Sequence, residues 1–199
     1  AMGTHRLFLD TSAGDGAIDL SQVAISAGLN TPVAAKTNGQ NIDLSNAGNS
    51  VSYRFWFDGK DVNIANNTAT YINGSSKATG NLEVTSNGNI AVFNSGTMTV
   101  GGTATFDASG GNVVLSNSAN SFTGAVSFLN AANVTLKNSL ALELGTSNVS
   151  GNVALTAAGP ITQNGALTVD GTLSANAGGN DITLAEANAI TGAVSFLNA

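Results

Sequence analysis

Apolar residues recur at every second position in short runs along most of this chain. Leu82 and Val84, Ala104 and Phe106, Val126 and Phe128, Val153 and Leu155, Leu173 and Ala175, and Val194 and Phe196 each follow a glycine by two and four positions. The residues between them are mostly small or polar, as in Asn81 and Glu83, Thr103 and Thr105, or Ala125 and Ser127. This alternation predicts strands with one buried face, because positions two apart on a helix point about 200° apart. The leading glycines Gly80, Gly102, Gly124, Gly151, Gly171 and Gly192 are spaced by 22, 22, 27, 20 and 21 residues. Further apolar sets follow in most units: Ile90 and Val92, Val113 and Leu115, Val134 and Leu136, Ile182 and Leu184, then Met98 and Val100, Leu140, Leu142 and Leu144, and Leu167 and Val169. Gly, Asn and Ser clusters such as Asn87-Gly88-Asn89 separate them, and these residue types suit tight corners.

A longer period encloses the short one. The nine residues TGAVSFLNA occur at 123–131 and again at 191–199, an offset of 68. GNLEVTS from Gly80 and GNVALTA from Gly151 correspond at an offset of 71, and TVGGTATFDASGGN from Thr99 and TVDGTLSANAGGN from Thr168 at 69. The chain is therefore expected to be all-β: a parallel β-helix, or β-solenoid, with coils of about 20–23 residues nested in a repeat of about 70. One such coil cannot bury its own apolar face, but stacked coils bury a continuous column with rungs about 4.8 Å apart. An antiparallel sandwich shares the short strands and Gly-rich turns, but does not require this period. Residues 80–199 read as regular solenoid repeats. Residues 4–79 read as degenerate coils with a protruding loop expected around 24–36, since Gly16, Gly39 and Gly59 keep the rhythm while the apolar pairs shift by one position after the last two. Residues 1–3 read as an expression remnant. About nine coils would make a rod of about 40 Å.

Composition narrows the function classes. Only 9% of the residues are charged, against about 25% in globular domains. Polarity comes from amides and hydroxyls, with 26 Asn in the chain. That suits stacked rungs, where columns of like charge would repel while Asn and Thr ladders hydrogen-bond. The net charge of −6 and six scattered basic residues argue against a nucleic-acid partner, which needs clustered Lys and Arg. No run of 18 apolar residues is present, so no membrane insertion is expected. The chain has no cysteine, which excludes a disulfide or a thiolate metal site. No cofactor is expected.

The aromatic segment 51–58, VSYRFWFD, holds four of the eleven aromatic residues. Alternation sets Val51, Tyr53, Phe55 and Phe57 on one side and Ser52, Arg54, Trp56 and Asp58 on the other. Tyr53, Arg54 and Trp56 form a candidate binding patch for sugar or protein, since aromatic and Arg anchors dominate interfaces; the alternative is a heavy strand packed under a neighbouring loop. Asp58 and Asp61, around Gly59-Lys60, are weak calcium candidates, with ordinary turn residues as the alternative. His5 is the single histidine and cannot build a zinc site alone. Asp107 and Asp170, 63 residues apart, make no firm carboxylate pair for glycoside cleavage. Thr-x-Thr triplets such as Thr97-Met98-Thr99 do not recur in register, which counts against a regular ice-binding array.

Residues 151–199 resemble the repetitive body of filamentous haemagglutinin-like large exoproteins, adhesins of Gram-negative bacteria. The resemblance rests on the G-x-ITQ-x-G-AL-x-V-x-G signature, present as Gly159-Pro160-Ile161-Thr162-Gln163-Asn164-Gly165-Ala166-Leu167-Thr168-Val169-Asp170-Gly171. It extends over 80–199, and the copy at 88–102 lacks the Thr-Gln pair. It implies a right-handed β-helical shaft, non-catalytic, secreted to the cell surface by two-partner secretion through a β-barrel outer-membrane transporter. It further implies attachment to a host-cell or bacterial-surface glycan or protein, and a role in virulence. The NPNG and NPNL motifs of that family's secretion domain do not occur here. End-to-end self-association through open terminal rungs is also expected. A direct carbohydrate- or protein-binding module using residues 53–57 is the alternative function, and a polysaccharide-degrading β-helix enzyme a third.

Overall fold

The computed structural model describes residues 6–73, 75–93 and 96–199. The expected remnant at 1–3 and His5 lie outside the described residues. The strand ladders all run parallel, as adjacent coils of one winding chain require. Three strands make a coil. Val62–Asn66, Thr70–Ile72 and Ser76–Ala78 form one, Leu82–Ser86, Ile90–Val92 and Met98–Val100 the next, and Ala104–Asp107, Val113–Leu115 and Ser121–Phe122 the third. Register pairs Val62↔Leu82↔Ala104↔Val126 define face one, and Thr70↔Ile90↔Val113↔Val134 face two. Asp58↔Lys77↔Thr99↔Ser121 define face three. The shape of the solenoid is thus a three-sided stack with one apolar core running through it.

The alternating apolar positions fill that core. Phe106 is fully buried, stacks on its register partner Phe128 at 6.1 Å, and meets Phe122 edge-on at 6.2 Å. Buried aliphatic residues continue the column from Ile18 to Leu173. Each fully buried Phe, Leu or Ile contributes about 1.5–3 kcal/mol of transfer free energy.

Residues 24–36 do not leave the stack. Ser26–Ala27 pairs with Ser50–Val51, and Val33–Lys36 pairs with both Leu7–Asp10 and Phe55–Gly59. Their missing alternation has a simple source: Ala34, between the inward Val33 and Ala35, is small on an outward position. Leu140, expected in a strand with Leu142 and Leu144, is instead exposed at 43%, and the strand starts at Leu142. Ile182 makes only an isolated bridge, to Ile161.

The 70-residue repeat is not a whole number of coils. Val126–Leu129, the equivalent of Phe55–Gly59, is the tenth strand after it. Nine strands and the Ile182 bridge carry the chain from there to Val194–Leu197. Ten strands at three per coil advance each repeat by one face. Accordingly Phe55–Gly59 lies on face three, Val126–Leu129 on face one, and Val194–Leu197 on face two. The shift happens at the repeat's first strand. Phe55 pairs with Ile72 while Asp58 and Gly59 pair with Lys77 and Ala78, so the next coil turns a corner halfway along it. The hydroxyl of Ser76 fills the interrupted ladder, accepting from the Phe57 N–H (3.4 Å) and donating to the Asn73 carbonyl (2.8 Å). Ser147 does the same one repeat later, with the Phe128 N–H (3.1 Å) and the Gly145 carbonyl (3.0 Å).

Candidate functional site

Polar columns run up the corners of the stack. Asn89, Asn112, Asn133 and Asn152 sit on successive rungs, each side-chain oxygen accepting the backbone N–H of the residue above, at 2.8–3.2 Å, as far as Thr172. Asn41, Asp61 and Asn81 form a second such column ending on Thr103. Asn49 and Asn120, buried inside the stack, and the part-buried Asn188 hold equivalent corners. Their side-chain oxygens accept the N–H of Ile25, Met98 and Leu167. Their amides donate to the carbonyls of Leu44, Leu115 and Leu184. Asn66 and Asn138 likewise clasp both backbone groups of Val51 and Phe122. Sequence reasoning missed these buried amides. A signal was there in Leu-Ser-Asn-x-x-Asn, at 44–49 and again at 115–120, 71 residues on.

The expected binding patch divides. Phe55 and Phe57 point into the core, as alternation predicts, and Trp56 points outward, half-buried. The Arg54 guanidinium lies 4.4 Å from the Tyr53 ring centre and 3.7 Å from that of Phe93, so it joins two coils as a clamp. Trp56 faces a different neighbourhood: a recess of about 350 Å³ lined by Arg6, Phe8, Asp10, Pro32, Ala34, Lys36, Trp56 and Asn73. Register explains the grouping, since Phe8, Ala34 and Trp56 are stacked partners on three successive rungs. The Asp10 carboxyl is held below its ordinary pKa, first by the Ser12 hydroxyl and then by the Ser12 N–H, with Lys36 adding a smaller pull.

The two calcium candidates have different neighbours. Asp58 stands between Lys36 and Lys77 in a column that alternates in sign from Asp10 upward. Asp61 lies at the next corner, where one carboxylate oxygen accepts the Asn81 N–H at 2.9 Å and the other is 4.0 Å from the Lys60 ammonium. Among the described residues, no group of three or more His, Cys, Asp or Glu is placed to hold a metal ion. A second recess, also about 350 Å³, runs up face one past Asp43, Asp61, Asn63, Asn81 and Glu83. Asn63 stands between Asp43 and Glu83 in their register column, which keeps the like charges two rungs apart. Asp107 accepts from the Ser109 N–H and the Asn130 amide, both at 3.0 Å.

These features define a parallel β-solenoid repeat scaffold, with no catalytic motif among the described residues. Residues 59–129 and 131–197 each match the family described as repeats of unknown function, DUF5649, and the chain belongs to that family. The two matches are the 70-residue unit, starting about one coil earlier than Gly80. No curated protein and no solved structure matches the chain.

Proposed function

We propose that the chain is a segment of the shaft of a secreted, cell-surface bacterial adhesin of the filamentous haemagglutinin-like, two-partner-secretion type, with no catalytic role. The observation that supports it is what the repeat keeps and what it varies. Inward and corner positions persist between copies: Phe57 and Phe128, Ser76 and Ser147, Asn66 and Asn138, Asn49 with Asn120 and Asn188. Outward positions change between the first two copies, as in Trp56 and Ser127, Asn63 and Thr135, or Glu83 and Ala154, although Ser127 recurs as Ser195. A repeat that holds its stacking apparatus and releases its surface suits a spacer. The one-face advance per repeat adds to this, because any motif carried by every copy would be dealt around the shaft and would not line one side. Coil-by-coil growth of such a stack and the absence of cysteine both suit export of an unfolded chain through a β-barrel transporter.

Antibody raised against the folded chain should label intact, unpermeabilised cells of the source bacterium, and labelling should fall with deletion of the cognate transporter. Labelling that appears only after permeabilisation would overturn the reading.

A further inference from the structure

Face three near its start carries charge out of proportion to the chain. The protein has a net charge of −6 and six basic residues. Four of those six, Arg6, Lys36, Arg54 and Lys77, belong to the columns of this one face, against two carboxylates, Asp10 and Asp58; Arg54 is turned to Tyr53 and Phe93, and Arg6 and Lys36 line the recess beside Trp56 with Asp10 as the single carboxylate. The recess beside Trp56 opens within this cationic patch. Its middle rung bears small residues, Pro32 and Ala34, while the rungs on either side bear Phe8 and Trp56. Walls two rungs apart are separated by about 9.6 Å. One ring in van der Waals contact with both walls needs about 7–8 Å. The slot therefore admits a single ring lying on Ala34, which is only 8% exposed, with Phe8 itself 48% exposed at the mouth.

We propose that this slot binds a carboxylated pyranose, a uronate residue of an acidic polysaccharide. The apolar C–H faces of the sugar ring meet the two aromatic walls. Its hydroxyls meet Asp10 and Asn73 at the rim, and its carboxylate meets Arg6 and Lys36. Sites of this kind combine apolar walls with a few placed polar groups, and charge-assisted contacts to a carboxylate are the stronger ones. The surplus of cations selects against a quaternary ammonium or methyl-lysine occupant, which aromatic walls alone would suit. The proposal stands whether or not the chain is a shaft.

Trp56 is the sole tryptophan, so its fluorescence reports the slot directly. Titration with trisaccharides of galacturonate, mannuronate and guluronate should give a saturable change for at least one of them. The methyl ester of the responding trisaccharide should bind at least about tenfold more weakly. Ala34→Leu, which fills the floor from an outward position, should abolish the response with an unchanged far-ultraviolet dichroism spectrum. Lys36→Gln should weaken it about tenfold. Absence of a saturable change with all three acids overturns the proposal, as does an undiminished response in Ala34→Leu. Equal binding of acid and ester overturns the assignment to a carboxylated sugar.

Discussion

Gly124→Val is expected to break the solenoid in its middle, costing more than about 4 kcal/mol, a loss that only severe steric or buried-polar defects produce. Even a Cβ on Gly124 would lie 2.5 Å from the carbonyl oxygen of Gly102 and 2.7 Å from its carbonyl carbon. Those are backbone atoms of the rung below and cannot step aside. Gly102 in turn lies over Gly80, with 2.8 Å between its would-be Cβ and the Gly80 carbonyl carbon, and Gly171 over Gly151 at 2.5 Å. The glycines that mark the period in the sequence thus form columns where backbone packs on backbone. Solenoid stability is a sum of coil and interface terms, so urea denaturation should show two separate transitions, or no folded species. Gly14→Ala is the control. A Cβ there meets nothing within 4 Å, and a change within about 0.5 kcal/mol is expected, as for ordinary surface substitutions.

Asn120→Ala should cost about 2–5 kcal/mol. Asn120 is fully buried, accepts the Met98 N–H at 2.9 Å and donates to the Leu115 carbonyl at 3.0 Å. Alanine strands both backbone groups without water, and each buried orphan costs about 1–3 kcal/mol. Asn120→Asp separates this cause from lost volume. It keeps the shape and the acceptor but replaces the amide donor by an oxygen that faces the Leu115 carbonyl and can donate to it only after taking up a proton. Both variants should therefore lower the urea midpoint. A midpoint at the wild-type value for Asn120→Asp that does not fall as the pH is raised would mean that the donated bond contributes nothing.

Much of this fold can be read in the sequence, because one face of the strands between the two ends is buried and most coils keep to 20–22 residues. Phe106 over Phe128, the coil length and the nested repeat follow from alternation and spacing alone. The errors arise where corners, not strands, carry the information. Gly59 looks like the coil-opening glycine before Gly80, yet it pairs with Ala78, and the Gly80 N–H bonds to the Lys60 carbonyl. The apolar pair Val62 and Ile64 held the true register. The alternation through Tyr53 fails for a similar reason: the chain bends at Ser52-Tyr53, before the strand begins at Phe55, and Tyr53 ends up half-exposed beside Arg54. The slot could not be read from local pattern, since Phe8, Ala34 and Trp56 are 26 and 22 residues apart. They meet only once the three coils containing them are aligned rung by rung.

The one-face advance of the repeat underlies the reading of this chain as a spacer, and one spectroscopic comparison tests it. The chain has no cysteine, so paired cysteines can carry nitroxide labels for double electron–electron resonance. Val114 and Ser174 share face two, linked through Thr135 and Ala154. Three rungs at about 4.8 Å put them about 14 Å apart. Thr105 is the repeat equivalent of Ser174 but lies on face one. The Val114–Ser174 pair should give the shorter distance and the Thr105–Ser174 pair the longer. A shorter Thr105–Ser174 distance would mean that the repeat closes on whole coils, and would contradict the advance.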